Sequence, residues 1–598
     1  MGRVHEIRFG EEENQRFAIG FLDGFPAGES GGGSGAAIIA GLKSDVLAAF
    51  KNATSDEPPP LAGNPWFRDI MKELKPGAGL TGYVNVDEMM RQLDLRLPDR
   101  RRADVLGRLG AGSVPGFGFR TTFVPGPGPD EKAGRVVDSL FVPLRHPRVS
   151  WMRFLPTTQS RLQGAKFVPK DFDLYVSVDL GKGDDVWHAV RTTYGEMAGA
   201  MAGQWLDSLI ESIEMPFGIS IQSDIFRSID GEFFFAIDLD NLSESIAEGG
   251  IEAEKTPYIL GFRTDRKDIL AGALDRILES EVVWNLMGFD KERYKVGEYE
   301  LTRLSSFVEP RYSQGYGFVD GYFLFSPQHT AIERAVEAYR TGANLAADPG
   351  HAALRATMAD KSNGEIFMRT SVLYRELLEA YAPWLADRAR PAAQTLLAGA
   401  ENLTDSVAWV TLRDDGILAV VSSPMGVGAA YVSARELKNA SVRRKLALTR
   451  ERFDNASAAI DRFYAAHGVF PKSLAALVPE FLPDVPEDPF AVFAWMRASL
   501  PIRYRCSQPQ TAGGKVVRAG GYVLAGNGPN CRADFDVRKF DPVSWSERRE
   551  SDDAIDVDAM KAQLYQFRTE RHADERRLDD EGDVVMVHIV EPEEGGAR

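Results

Sequence analysis

The sequence predicts an α+β protein. It would have two related repeats of antiparallel sheet covered by helices, then a smaller module in which a long helix packs on a small antiparallel sheet. Three observations carry this. A strand-then-helix pattern recurs through the middle of the chain. A matching pattern runs about 285 residues earlier, as a duplication would give. Near residue 434 a long helical period begins and ends in proline-punctuated loops and short strands.

The middle segments define the repeat. "PYILGFRTDRKDILAGALDRIL" (257–278), "GYFLFSPQHTAIERAVEAYRTG" (321–342) and "GEIFMRTSVLYRELLEAY" (364–381) each read as an apolar strand followed by an amphipathic helix. "DSVAWVTLRDDGILAVVSSP" (405–424) reads as two strands joined by a tight Asp-Asp-Gly turn. In the first copy, "RFAIGFLDG" (16–24), "GAAIIAGLKSDVLAAFKNAT" (35–54), "LTGYVNVDEMMRQLDL" (80–95) and the hairpin of 116–143 take the same places. "GESGGGSG" (28–35) fits the turn between two strands. Extra residues between about 280 and 320 distinguish the second copy.

The second copy also opens with a block of its own. It comprises the strand "LYVSVDL", one long helix through 187–214, and the strand "EFFFAIDLD". The first copy's counterpart would precede residue 1, so the chain is expected to be short at its N-terminus, and a signal peptide would be missing with it. The resulting units are 1–160, a truncated first repeat; 161–432, a complete second repeat; 433–545, the long-helix module; and 546–598, a charged helix and tail. In that tail "DVVMVHIV" reads as an edge strand free to dock on its own protein or on a partner.

Bulk composition narrows the function class. A chain of 598 residues is too long for one core. Apolar content of 44% and charged content of 26% are ordinary for folded soluble material. Seventy Lys and Arg against 87 Asp and Glu give a net charge of −17, which disfavours a nucleic-acid partner. The basic clusters at 96–108 and 443–450 are interleaved with apolar residues and read as solvated helix faces. No stretch is long and apolar enough to be a transmembrane segment.

The long helix is well specified. Val442, Leu446, Thr449, Phe453, Ala456, Ile460, Phe463 and His467 fall on one face from about 434 to 467; Gly468 can end the helix and Pro471 prevents its resumption. Then follow "GVFP", "LAALVP", "VPEDPF", the strand "IRYRC" and "GGYVLAGNG". This order, across about 445–537, resembles the soluble part of the major pseudopilin of type II secretion. The preceding repeats are similar to a family of bacterial envelope proteins known only as a domain of unknown function, some of which end in such a module. The resemblance implies an extracytoplasmic protein. The helix here follows a folded region and is rich in Lys and Arg, so a globular interaction module is expected rather than a pilus subunit. It also implies calcium near Asn527, Asn530, Asp534 and Asp536, oxygen ligands suited to a hard cation. Cys531 lies among them, and a disulfide-pinned loop is the expectation instead, with no metal.

The two cysteines, Cys506 and Cys531, are expected to form one disulfide; two inert buried thiols are the alternative. Catalytic signals are weak. Ser30 in "GESGG" lacks the strand and helix of a nucleophile elbow, and His467 in "YAAHG" sits on a helix of another module. "SSPMGVGAAY" lacks the third glycine of a dinucleotide fingerprint and reads as a linker, so no cofactor is expected. Asp238 and Asp240 occupy alternate positions of a predicted strand, hence one face, a spacing open to acid–base chemistry but more often simply solvated. The expectation is a non-enzymatic structural or adaptor protein of the cell envelope with protein partners; the alternative is a periplasmic hydrolase or small-ligand binder with a site between the repeats.

Overall fold

The computed structural model describes residues 3–8, 16–26, 34–42, 63–75, 79–87, 111–125, 134–148, 152, 155–198, 200–247, 256–281, 283, 288–306, 313–387, 389–493, 498–512, 515–518, 520–527 and 584–590. It is a mixed α/β structure dominated by antiparallel sheet. β1 (Arg3–Arg8), β2 (Arg16–Pro26) and β3 (Ser34–Leu42) form a three-stranded antiparallel sheet, with the Gly/Ser stretch between β2 and β3. Helix α1 (Pro65–Leu74) follows, then β4 (Leu80–Asn85), β5 (Gly116–Val124) and β6 (Arg135–Pro143). Beyond these come β7 (Leu174–Lys182), helices α2 (Gly183–Ala198) and α3 (Ala200–Phe217), β8 (Asp230–Ile237), α4 (Leu242–Ala247), β9 (Tyr258–Arg263) and α5 (Lys267–Leu278).

The extra residues near 280–320 are strands: β10 (Phe289–Val296), β11 (Tyr299–Ser306) and β12 (Ser313–Val319). Then come β13 (Tyr322–Ser326), α6 (His329–Thr341), α7 (Pro349–Arg355), β14 (Gly364–Met368), α8 (Thr370–Tyr381), α9 (Arg390–Ala398), β15 (Ser406–Leu412) and β16 (Gly416–Ser423).

β4 to β16 make one sheet of 13 strands in the order β10-β11-β12-β13-β9-β8-β7-β14-β15-β16-β6-β5-β4. Every neighbouring pair is antiparallel. The seam is β16 against β6, with Ala419 opposite Leu140, so the sheet runs across residue 160. One face is the main core. Phe167, Phe172, Tyr175, Phe234, Ile259, Leu324 and Phe367 pack there against Ile332, Ala335 and Val336 of α6. Alternation turns the remaining side chains to the other face. A row of direct cross-strand partners runs Phe318, Phe323, Phe262, Phe233, Val178 across it, all half-buried.

Two expectations change. The 187–214 segment is not one helix but two, α2 and α3, folded back on each other and joined by an Arg191–Asp207 ion pair. The long helix, α10 (Gly426–His467), starts about two turns before 434. Its 42 residues span about 63 Å. Gly426-Val427-Gly428 opens that helix instead of forming a linker, because Asp138 of β6 accepts from Val427 N at 2.7 Å and caps it. That carboxylate already occupies the helix N-terminus, which removes the dinucleotide reading.

No glycine or proline interrupts residues 429–467, so α10 passes through the 432/433 boundary unbroken. Its first half packs at Ala440 with Tyr374 and Leu378 of α8. Its second half buries Phe453, Ala456, Ala459 and Ile460 against Phe470, Leu474, Leu477 and Tyr522. Gly468, at φ +70°, ends it as expected, and its N–H donates to Tyr464 O. Past it, β17 (Glu487–Phe493) pairs with β18 (Ala498–Pro501) and β20 (Gln510–Ala512) with β21 (Lys515–Arg518). β19 (Arg503–Ser507), β22 (Gly520–Gly526) and β23 (Val584–Val590) form a small antiparallel sheet under the helix. The tail strand β23 thus docks on its own chain, beside a β22 whose seven residues are all buried. Among the described residues no helix is long and apolar enough to cross a membrane.

Candidate functional site

The most polar part of the core lies where β7, β8 and β14 meet α7. Glu232 on β8 is 2% exposed. Oε1 accepts from Gly164 N at 2.7 Å and Ser177 Oγ at 2.6 Å; Oε2 accepts from Gln163 N at 2.8 Å and Tyr322 Oη at 2.6 Å. With four donors and, among the described residues, no ion-pair partner, this carboxylate is held by hydrogen bonds. Burial and the Glu232 charge push the Tyr322 phenol well up, so it remains a donor. Tyr175, wholly buried, is pushed up by desolvation first and by Glu232 and Glu365 second.

Next to it, α7 starts on Asp348, whose Oδ1 accepts from His351 N at 2.9 Å, with Pro349 at the first helical position. This cap fixes His351 on the inner side of the helix. Its Nε2 lies 2.9 Å from Glu365 Oε1, and Arg355 Nε lies 3.3 Å from Glu365 Oε2; His351 and Glu365 are both buried. Nε2 faces that carboxylate, and Nδ1, shielded from solvent, has no hydrogen-bond partner among the described residues. His351 sits edge-on to Phe367, with ring centroids 5.1 Å apart.

Two open clefts flank α7. One, about 450 Å³, is lined by Arg161, Gln163, Lys166, His351, Arg355, Asp360 and Glu365 among others. The other, about 620 Å³, is lined by Lys170, Asp171, Asp173, Asn344, Asp348 and Arg369 with small residues. At the edge of the second, Asp173 meets Asp238 and Asp240, their carboxylate oxygens within 4.8 Å of one another. Asp238 and Asp240 lie just beyond β8 rather than within a strand, so strand alternation does not set their relation; a turn does, with Asp240 N donating to Asp238 Oδ1. Burial pushes Asp173 up to about 7, against an N–H bond from Leu239 that pulls down, and burial raises Asp238 also. Each carboxylate faces a guanidinium: Arg369 at 3.9 Å from Asp173, Arg334 at 3.4 Å from Asp238, Arg375 at 3.7 Å from Asp240. Each of these arginines also pairs, more closely, with another acid, Asp348, Asp171 and Glu376 respectively, so the trio belongs to an acid-rich ion-pair network.

A separate surface lies on the α2–α3 hairpin. Trp205, Leu209 and Ile213 follow one another every four residues along α3 and are all exposed, Trp205 by 59%; Met215, at 73%, and Val190 of α2 are exposed as well. The half-buried Leu206, Ile210 and Phe217 already serve the packing of α3, so the outer apolar residues are surplus to it.

The remaining sequence candidates disperse. His467 ends α10 and packs its ring on Phe463 and Phe481, a contact that explains it without chemistry. The Cys506 thiol donates to Pro471 O at 3.4 Å and is free; Cys531 lies outside the described residues. Asn527 donates its backbone N–H to Asp488, while Asn530, Asp534, Asp536 and Ser30 lie outside the described residues. The cluster of 443–450 lies on α10, where Arg443 donates to Trp384 O; the whole of the 96–108 cluster lies outside the described residues. His351, Glu365, Glu232 and Asp173 carry no sequence signal, because their partners are brought by other strands and helices. Compared with protein-family models, with curated proteins and with solved structures, the chain matches none.

Proposed function

We propose that the chain is a non-enzymatic adaptor or structural protein of the bacterial cell envelope, working outside the cytoplasm, that binds protein partners through the α2–α3 hairpin. In this reading it combines two copies of an α+β unit with a pseudopilin-like module used as a globular domain. The observation that carries the binding role is the exposed apolar stripe Trp205–Leu209–Ile213, flanked by Asp207 and Glu211. An aromatic anchor with aliphatic neighbours is what a protein interface buries at its centre. Asp207 is engaged by Arg191, so it is the apolar stripe itself that favours a partner with an apolar groove.

The duplication is supported by equivalent elements about 285 residues apart. Helices α1 and α7 both start on an Asx cap followed by proline, Asn64-Pro65 and Asp348-Pro349. β4, β5 and β6 follow α1 as β14, β15 and β16 follow α7. The order β14-β15-β16-β6-β5-β4, with β16 antiparallel to β6, is what two copies of one unit give when joined about a local two-fold axis. The three-stranded sheet β1-β2-β3 repeats the order β8-β9-β13, so in this reading β1 is the counterpart of β8, the one strand of the opening block that does not precede residue 1 as expected.

The hydrolase reading is less well supported. Neither cleft beside α7 is lined by a Ser, Thr or Cys side chain; a third cleft, of about 610 Å³, does bring the two units together, with Glu73, Arg145 and His146 of the first beside Asp415 of the second, and its lining has no such nucleophile either. The test is Leu209→Asp with Ile213→Asp in full-length protein recovered from native envelopes. Loss of a co-purifying partner at unchanged thermal stability is expected. Retention of every partner, or a specific turnover abolished by a point mutation elsewhere, would overturn the proposal.

A further inference from the structure

We propose that β4, the outermost strand of the first unit, is a docking edge that takes up an extended segment of a protein partner as an added antiparallel strand with apolar side chains at every second position. The register of that strand rests on the duplication proposed above. The ladders give the equivalence residue by residue. Tyr83, Gly118 and Phe141 lie opposite one another across β4, β5 and β6, as Phe367, Val407 and Ser422 do across β14, β15 and β16. The seam agrees, since it pairs Leu418 with Phe141 and Ser422 with Val137, each pair the image of the other. In the second unit the outer side of β14 is covered by β7, with Val178 opposite Gly364, Val176 opposite Ile366 and Tyr175 opposite Phe367. The same side of β4 carries no strand among the described residues.

The two ends of the 13-stranded sheet are finished differently. Five of the eight residues of β10 are charged, which guards that edge against pairing. β4, "LTGYVN", has no charge, no proline and no bulge in its ladder to β5, so its edge is unguarded. The side chains beside it are apolar and open. Leu80 is 56% exposed and Phe123 of β5 is 65% exposed. Leu80 stands opposite Thr121 and Gly82 opposite Phe119, so alternation sets Leu80, Phe119 and Phe123 on one face. The Phe119 ring lies across Gly82, where a Cβ would come within 2.3 Å of it, and so rests on the edge strand itself. Alternate side chains of an added strand would cover Leu80 and Phe119, as Val176 lies beside Ile366 in the second unit. Main-chain bonds along the edge supply the affinity and the apolar positions the selectivity. Pairing with β4 of a second copy would bring Gly82, which has no side chain, to this apolar face, so the occupant is a segment of a different protein.

The probe is a fluorescent peptide of residues 172–182, the segment that contains β7, followed by anisotropy with full-length protein up to about 200 μM, a range that covers weak binding. Saturable binding is expected. It should weaken about tenfold in Leu80→Lys with Phe123→Lys, both exposed positions, and stay unchanged in Leu209→Asp, which disables the hairpin surface alone. An added antiparallel strand turns only alternate N–H groups toward β4. Peptides N-methylated at Leu174, Val176 and Val178, or at Tyr175, Ser177 and Asp179, should therefore differ, one set abolishing binding and the other sparing it. No saturable binding, equal effects of the two methylated sets, binding lost with Leu209→Asp, or Leu80-dependent dimers in sedimentation in place of peptide binding would overturn the docking edge. The register is read separately. A photocrosslinker at the Tyr175 position of the peptide should label β4 at Tyr83, as Tyr175 lies opposite Phe367. Labelling of β4 in another register leaves the docking edge standing and contradicts the equivalence of the two units.

Discussion

Replacing Glu232 by glutamine tests how the polar centre of the large sheet is held. The carboxylate accepts four hydrogen bonds of 2.6–2.8 Å, two at each oxygen. Glutamine keeps one acceptor oxygen but turns an NH2 toward the other pair of donors. Whichever way the amide is placed, one backbone N–H, of Gln163 or of Gly164, then faces a donor and has no other partner close by. The hydroxyl of the pair can rotate; the N–H cannot. Two bonds to a charged acceptor, at about 1.5–3 kcal/mol each, are lost, and partial relief from the removed charge leaves about 3–5 kcal/mol of destabilisation. For a sheet unit spanning residues 80–423 that corresponds to a fall in Tm of about 4–7 °C. Calorimetry of the full-length protein reads it directly, in the transition of the large-sheet unit. Gly164→Ala gives an independent check, since a Cβ there would come within 2.7 Å of the Phe234 ring and 2.9 Å of Glu232 Oε1. A Glu232→Gln protein melting within about 2 °C of the parent would refute the view of Glu232 as the organising acceptor.

Three further outcomes are expected. Asp173 titrates near 3.8 when unfolded and about 7 when folded. The unfolded chain therefore releases its proton first, and the group's contribution to stability, full below pH about 4, declines by about 4 kcal/mol as pH rises to about 7. Asp173→Asn should flatten that interval in urea titrations at several pH values; an undiminished slope would show that burial does not raise this carboxyl. Truncation after residue 583 removes β23 and leaves the wholly buried β22 with an open edge, so the C-terminal module should lose cooperative melting and self-associate in sedimentation runs. A tail that can be removed without either effect contradicts the observed pairing. Peptide mapping of freshly isolated protein with and without reductant should recover a Cys506–Cys531 linkage if the chain is exported; two free thiols would argue for a reducing compartment.

Much of the architecture is legible in the sequence where local patterning sets it. The strands at 258–263, 322–326 and 364–368 alternate or run apolar between turn residues and lead into amphipathic helices. Gly468 and Pro471 mark the end of α10 as their backbone preferences require. The start of α10 is harder to read, because Gly426 and Gly428 look like a break and the Asp138 cap arrives from nearly 300 residues away. β10, "FDKERYKV", is hidden by its charges, which an outermost strand tolerates because one side of it stays wet. The polar centre is illegible for a related reason. Glu232 binds Gln163, Ser177 and Tyr322, and Glu365 binds His351, contacts fixed by strand order and by the placing of α7 rather than by spacing. Asp173 gains its raised pKa from burial beside Asp238 and Asp240, which no motif announces.

The central claim is that the α2–α3 hairpin is a binding surface, and site-specific photocrosslinking in intact cells tests it most directly. A crosslinker replacing Leu209, compared with one at the exposed Glu401 far along the chain, should give a single adduct of defined mass at Leu209 alone. That adduct should disappear when Ile213→Asp is added. The same adducts at both positions, or none at Leu209 while the protein remains folded, would contradict the account.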